Sequence, residues 1–184
     1  MRSFVAIELD DAVRSPVEAL SRRLRGYGAQ ASWVRPENMH LTLRFFGDIA
    51  DDPAARLADM LAEACKETPP FSLQIRGIGV FPNARKPSVL WVGVEPFEGG
   101  LAHLYAAAED AARAIGLPPD DKAFHPHVTL ARIRDARTVR PLMDALQGEA
   151  AFDAGAFEVR DMRLFSSELT PKGPIYRVVR EFPL

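Results

Sequence analysis

Ser3 to Leu9 (SFVAIEL) mixes apolar residues with β-formers and predicts a strand. Asp10 and Asp11 can cap a helix, and after them Val13, Val17, Leu20 and Leu24 recur at helical spacing. They predict an amphipathic helix to about Arg25, ended by Gly26 and Gly28. Ser32 to Val34 reads as a short strand. His40 to Phe46 (HLTLRFF) reads as a second long one, closed by Gly47 and Asp48. Asp51, Asp52 and Pro53 open another helix, with proline tolerated in its first turn. Leu57, Leu61 and Ala64 form its apolar face, and Pro69 and Pro70 stop it.

Phe71 to Val80 and Val89 to Val94 predict two strands separated by the loop Phe81 to Pro87 (FPNARKP). The next helix runs from about Glu98 to Ile115, with Leu101, Leu104, Ala108 and Ile115 inward, ended by Gly116 and the pair Pro118 and Pro119. His127 to Arg132 (HVTLAR) is a strand, and Thr138 to Gln147 a helix with Gly148 as its stop. Ala156 to Phe165 and Pro174 to Phe182 read as two long strands joined by a turn. Four helices thus alternate with about eight strands. The short strand-to-strand connections favour antiparallel pairing, hence an α+β fold rather than a doubly wound parallel sheet. A weak boundary is expected near residues 85–95.

The chain has 184 residues, 47% hydrophobic and 26% charged, enough to bury a core without covalent staples. Cys65 is the one cysteine, which excludes an intrachain disulfide or a cysteine-rich zinc site and points to a reducing compartment. The formal net charge of −2 excludes a general nucleic-acid coat. The first ten residues are too short and too acidic for a signal peptide, and no apolar run approaches the ~20 residues of a membrane span. The expectation is a cytoplasmic protein.

One pattern carries chemistry. His40-Leu41-Thr42-Leu43 in the first half is matched by His127-Val128-Thr129-Leu130, 87 positions later. With 4 His, 5 Thr and 18 Leu in the chain, random placement gives His-x-Thr-Leu about 0.01 times. In a strand, side chains at i and i+2 share a face. His40 and Thr42 therefore point one way and Leu41 and Leu43 the other, and the second copy repeats this. If the halves are related by a pseudo-two-fold axis, two imidazoles and two hydroxyls converge on one cleft. Two imidazoles of ordinary pKa ~6.5 suit paired acid and base work at neutral pH, each proton transfer typically giving ~10²–10⁴ in rate. Threonine hydroxyls can donate to phosphate oxygens as charge develops. The set suits in-line displacement at phosphorus without a metal.

A zinc site from His40, His125 and His127 is the rival chemistry, but it leaves both threonines unexplained. A protein that only binds RNA ends or nucleotides is the rival function. His125 reads as a loop-end residue and His103 as a solvent-exposed helix residue. Arg44 shares the parity of His40 and reads as a solvated rim charge or an RNA-backbone contact. Phe4, Phe45, Phe46, Phe124 and Tyr176 are candidates for stacking a terminal base. Arg22-Arg23-Arg25, Arg85-Lys86 and Arg132-Arg134-Arg137 are basic clusters, each read as a solvated face unless it borders the cleft.

These residues resemble the two-histidine (2H) phosphoesterases, and among them the bacterial and archaeal RNA 2′,3′-cyclic phosphodiesterases, historically called 2′-5′ RNA ligases. The resemblance spans nearly the whole chain. Phe4-Val5-Ala6-Ile7 is similar to the family's first strand. Trp33-Val34 with Asn38-Met39-His40-Leu41-Thr42-Leu43-Arg44-Phe45-Phe46-Gly47 is similar to its first motif, Phe81-Pro82 and Val89-Leu90-Trp91-Val92-Gly93 to its middle hairpin, and Pro126-His127-Val128-Thr129-Leu130-Ala131-Arg132 to its second motif. Ser167, Leu169-Thr170-Pro171, Gly173-Pro174 and Tyr176 are similar to its C-terminal hairpin.

The resemblance implies a bilobal, pseudo-two-fold duplicated α+β fold over residues 1–184, one domain of two intertwined lobes. Antiparallel sheets line a central cleft and helices pack outside. It implies metal-independent hydrolysis of a 2′,3′-cyclic phosphodiester to a 2′-phosphomonoester, with no cofactor. His40 would be the general acid and His127 the general base, roles that near-symmetry allows to be exchanged. Thr42 and Thr129 would hold the phosphate. Arg132 is a further phosphate ligand if a bulge or strand end turns it into the cleft, since strict alternation points it away. In reverse, the same geometry would join a 2′,3′-cyclic end to a 5′-hydroxyl. The partners expected are RNA ends or nucleotides carrying a 2′,3′-cyclic phosphate. No membrane and no obligatory protein partner are expected, and a monomer is the default.

Overall fold

The computed structural model describes residues 1–171 and 173–184. Among the described residues there are nine strands and four α-helices. The strands are β1 (Arg2–Glu8), β2 (Ala31–Trp33), β3 (His40–Asp48), β4 (Phe71–Phe81), β5 (Val89–Glu95), β6 (His127–Ile133), β7 (Asp153–Val159), β8 (Asp161–Thr170) and β9 (Gly173–Pro183). The helices are α1 (Asp11–Arg25), α2 (Asp51–Lys66), α3 (Gly99–Ala114) and α4 (Arg140–Gly148). Asp10 caps α1 by accepting from the amide of Val13, as an acid before an amphipathic run should.

All nine strands form one antiparallel sheet in the order β7-β4-β5-β6-β3-β1-β8-β9, with β2 paired to β6 off that path. The two sheets expected from the resemblance are therefore halves of one. They meet where β3 lies beside β6, through the single register pair Leu41 and Val128. One face of the sheet, with Val5, Ile7, Leu41, Leu90, Val92, Val128 and Leu164, shares a continuous buried core with residues of all four helices. Burial at ~25 cal/mol per Å² of apolar surface makes this helix-covered face the source of stability. The other face carries no helix in that core. It holds a smaller cluster of Phe4, Ala6 and Phe165, with Tyr176 packed against it.

Two expectations need correction. Ala156 to Phe165 is two strands, not one. The buried positions are Phe157 and Val159 before Arg160, then Met162 and Leu164 after it. The alternation slips by one residue there, and β7 and β8 part to opposite sides of the sheet, β7 onto β4 and β8 onto β1. The last helix begins at Arg140 rather than Thr138, because Asp135 caps a short 3-10 turn over Ala136–Thr138 first. Across residues 85–95 the sheet is continuous, with β5 hydrogen-bonded on both sides, to β4 and to β6. The C-terminal β8 and β9 return to the half begun by β1, so the halves interlock.

Candidate active site

The Leu41–Val128 pair fixes the geometry of the duplicated motifs. Leu41 and Val128 are fully buried on the helix face. His40 and Thr42, and His127 and Thr129, are their neighbours in sequence. They therefore stand together on the open face and are partly exposed. Continued as a regular antiparallel ladder, this one pair would set His40 opposite Thr129 and Thr42 opposite His127. In a regular ladder the two histidines would then be diagonal neighbours, a placement that sets Cα atoms about 7–8 Å apart. A phosphoryl group fits between side chains at that spacing.

Each motif strand then carries a bulge at the same place. Between β1 and β3, Ala6 pairs Thr42 while Val5 pairs Arg44, leaving Leu43 extra. Between β5 and β6, Trp91 pairs Thr129 while Leu90 pairs Ala131, leaving Leu130 extra. An extra residue reverses the alternation beyond it. Leu43 and Arg44 both turn to the helix face, as do Leu130 and Ala131, and all four are buried. Phe45 and Arg132 turn to the open face, where both are exposed, Phe45 at 55%.

Arg44 does not sit at the rim, as expected from unbroken parity. Its side chain is 10% exposed and ion-paired with Glu109 of α3 at 2.9 Å and with Asp120 at 3.2 Å. It also donates to the carbonyl of Pro118 at 2.5 Å. It ties β3 to the loop that leads into β6.

His127 has its Nδ1 2.6 Å from the carbonyl oxygen of His125. A carbonyl only accepts, so Nδ1 carries the proton and the neutral ring presents a bare Nε2. The His40 ring makes the corresponding bond to the backbone of Asn38, again two residues upstream. Burial lowers the pKa of His40 to about 4, against a smaller upward pull from that hydrogen bond. Burial also lowers that of His127, with the charges of Arg132 and His125 adding to the effect. Both shifts favour the neutral ring in the free protein.

Aromatic rings crowd His40. Phe4 stacks on it at 5.0 Å, Phe165 lies parallel at 6.0 Å and Tyr176 meets it edge-on at 5.4 Å. Phe4 and Phe46 are buried, Phe46 in the helix-side core, and Phe124 stacks on Tyr105 at 4.2 Å. Of the candidate stacking rings, Phe45 is exposed on the site face and Tyr176 is partly exposed beside His40. Beside His127, Phe81 stands edge-on at 5.0 Å and Trp91 at 6.4 Å. The indole of Trp91 lies against Gly79, where any Cβ would fall 2.4 Å from it. Glu8 stands across from His40 in the register, held by Arg163, which also pairs Asp161 at 3.0 Å and Glu181 at 3.2 Å. No local signal in the sequence marks this acidic cluster, since its members are brought together by strand order alone.

His125 and His103 are exposed, as expected. Among the described residues, no group of three His, Cys, Asp or Glu side chains is arranged to hold a metal ion.

Duplicated His-x-Thr strands on the open face of an interlocked antiparallel sheet define a phosphoesterase class. The chain belongs to the LigT-like phosphoesterases of the two-histidine superfamily, whose family model matches it twice, over residues 7–91 and 92–176. It is 37% identical over 182 residues to the RNA 2′,3′-cyclic phosphodiesterase of Archaeoglobus fulgidus, covering 99% of each chain. It is 34% identical to that of Methanothermobacter thermautotrophicus, covering 100% of this chain and 99% of the other. Among solved structures it is similar to TT0787 of Thermus thermophilus, with TM-score 0.83, 27% identity and 100% and 98% coverage. It also shares the fold of E. coli LigT complexed with 3′-AMP, with TM-score 0.81, 24% identity and 100% and 97% coverage.

Proposed function

We propose that the protein is an RNA 2′,3′-cyclic phosphodiesterase, a phosphoric diester hydrolase in which His40 and His127 act as an acid–base pair on the two sides of one phosphorus. The observation that carries this reading is the Leu41–Val128 pairing, which aligns both motifs on one face.

Each chemical step uses a side chain of the site. The bare Nε2 of neutral His127 takes a proton from water. The water oxygen attacks phosphorus, the P–O3′ bond breaks, and His40 gives a proton to O3′, leaving a 2′-phosphomonoester. His40 is neutral before substrate arrives, so it must gain its proton on binding. The negative phosphate placed beside it raises its pKa by Coulomb attraction and supplies the reason. Thr42 and Thr129 donate to the non-bridging oxygens. Arg132, turned inward by the bulge, neutralises the charge that builds in the transition state. Exposed Phe45, its counterpart in the other half, offers a stacking surface for the base of the terminal nucleoside. Acid, base and positive charge are all supplied by side chains.

The substrates in this reading are RNA ends or nucleotides bearing a 2′,3′-cyclic phosphate. The 184 residues act as one domain of two interlocked lobes, as a monomer in the cytoplasm. Buried, unpaired Cys65 suits a reducing compartment, and among the described residues no helix is long and apolar enough to cross a membrane.

Product analysis with a nucleoside 2′,3′-cyclic phosphate in excess EDTA tests the reading. The expected result is a 2′-phosphomonoester formed with a bell-shaped pH dependence. Tight binding without product at any pH would leave a nucleotide-binding protein instead.

A further inference from the structure

The two histidines are held by the same kind of bond, but the two halves secure that bond differently. In each half the backbone carbonyl two residues upstream accepts from the ring, His125 from His127 and Asn38 from His40. A proton kept on Nδ1 by that carbonyl leaves Nε2 to face the phosphate. On the second side the main chain alone fixes the acceptor. Pro126 restricts His125 to an extended conformation. The carbonyl of Pro126 also accepts from the amide of Val94 at 3.1 Å.

The first side has Met39 where the second has Pro126, so the proline restriction is missing there. The segment is a 3-10 turn over Pro36–Asn38. In it the amide of Asn38 donates to the carbonyl of Arg35 at 2.9 Å, and that of Met39 to Pro36 at 3.1 Å. Such turns have poorer hydrogen-bond geometry than an α-helix and hold little by themselves. The added tie comes from the far end of the chain. The side-chain Nδ2 of Asn38 donates to the carbonyl of Pro174 at 3.3 Å, across 136 positions.

Pro174 lies at the start of β9, and β9 is the third strand from β3 in the sheet order. At ~4.8 Å per strand that is ~14 Å along a flat sheet, so the sheet must curl for this bond to form. Two residues further along β9, Tyr176 meets the His40 ring edge-on at 5.4 Å. One stretch of β9 therefore touches both the ring of His40 and the turn that carries its acceptor.

We propose that Asn38 is a positioning residue, whose side chain, tied to the Pro174 carbonyl, fixes the backbone carbonyl that sets the tautomer and direction of His40. The proposal rests on the acid–base reading of the histidine pair. With the tie closed, Nδ1 keeps its proton on the Asn38 carbonyl, and the proton given to O3′ is the one on Nε2. With the tie removed, the turn is free to swing, Nδ1 loses its acceptor, and the neutral ring divides between its two tautomers.

Nitrogen-15 spectra of the imidazole rings, taken near pH 8 where ordinary histidines are neutral, read the tautomer of each ring separately. In wild type both His40 and His127 are expected as the Nδ1–H form. In Asn38→Ala, and in Asn38→Asp, which keeps the shape without the donor, His40 is expected to become a mixture while His127 stays unchanged. Hydrolysis of adenosine 2′,3′-cyclic phosphate by the same preparations is expected to lose roughly 10- to 100-fold in kcat, the cost of a misplacement approaching ~1 Å. KM is expected to stay within about twofold, since the ring is displaced from the transition state rather than from the bound substrate. A wild-type His40 tautomer in both variants, or wild-type kcat in both, overturns the role of Asn38 and leaves the phosphodiesterase reading standing. Absence of hydrolysis by the wild-type protein overturns that reading and the role of Asn38 with it.

Discussion

Leu41 stands directly across from Val128, and through this pair the two halves of the sheet join. Both side chains point into the helix-covered core, fully buried. What they determine lies on the other face, where the neighbours of each in sequence are the histidines and threonines of the site. A contact made for packing therefore sets the register of the chemistry. A slip of one residue between β3 and β6 would send one histidine into the core.

Arg44 separates the structural role of the first motif strand from its chemical one. Arg44→Ala is expected to leave Glu109, whose side chain is 13% exposed, as an unpaired buried carboxylate. Such a loss destabilises by about 3–5 kcal/mol. Chemical denaturation checks this, and turnover measured well below the midpoint should remain near wild type. An RNA-contact role would instead raise KM without a change in stability.

Arg132 is expected to act in the transition state. Arg132→Ala should lower kcat by about 10²–10³-fold, the usual effect of removing one preorganised charge donor. Arg132→Lys should recover only part of this, because an ammonium cannot make the two-pronged guanidinium contact with phosphate. Steady-state kinetics of both variants, with melting temperatures unchanged, is the check.

The burial of His40 makes folding sensitive to acid. Its folded pKa of about 4 lies below the ordinary 6.5. The unfolded chain therefore binds the proton first as pH falls, and stability is lost between about pH 6.5 and pH 4. From pH 7 to pH 4.5 the linked loss from this residue is on the order of 2 kcal/mol. Denaturation of wild type and His40→Asn at both pH values should show a steeper loss in wild type by roughly that amount. Equal losses would place His40 in solvent.

Much of this site is legible in the sequence. Alternation alone put His40 with Thr42 and His127 with Thr129, because strand parity is local. The bulges at Leu43 and Leu130 were not readable in the same way. In the sequence Leu43-Arg44 looks like alternation continuing, and only the pairing of β1 with β3 shows that Leu43 has no partner. That is why Arg44 was expected outside and lies inside. The break at Arg160 did leave a trace, since Phe157 and Val159 are out of phase with Met162 and Leu164. Where the chain goes after such a break depends on sheet order, a long-range property. The wall of Phe81 and Trp91 is of the same kind, assembled from strands that meet only in the folded sheet.

The kinetics of His40→Ala, His127→Ala and the double variant, each verified as folded, test the pairing most directly. Two groups serving one displacement act as a unit, so each single change is expected to cost at least ~10²-fold in kcat and the double variant little more than the worse single. Multiplying losses in the double variant, or full turnover in either single one, would contradict the account.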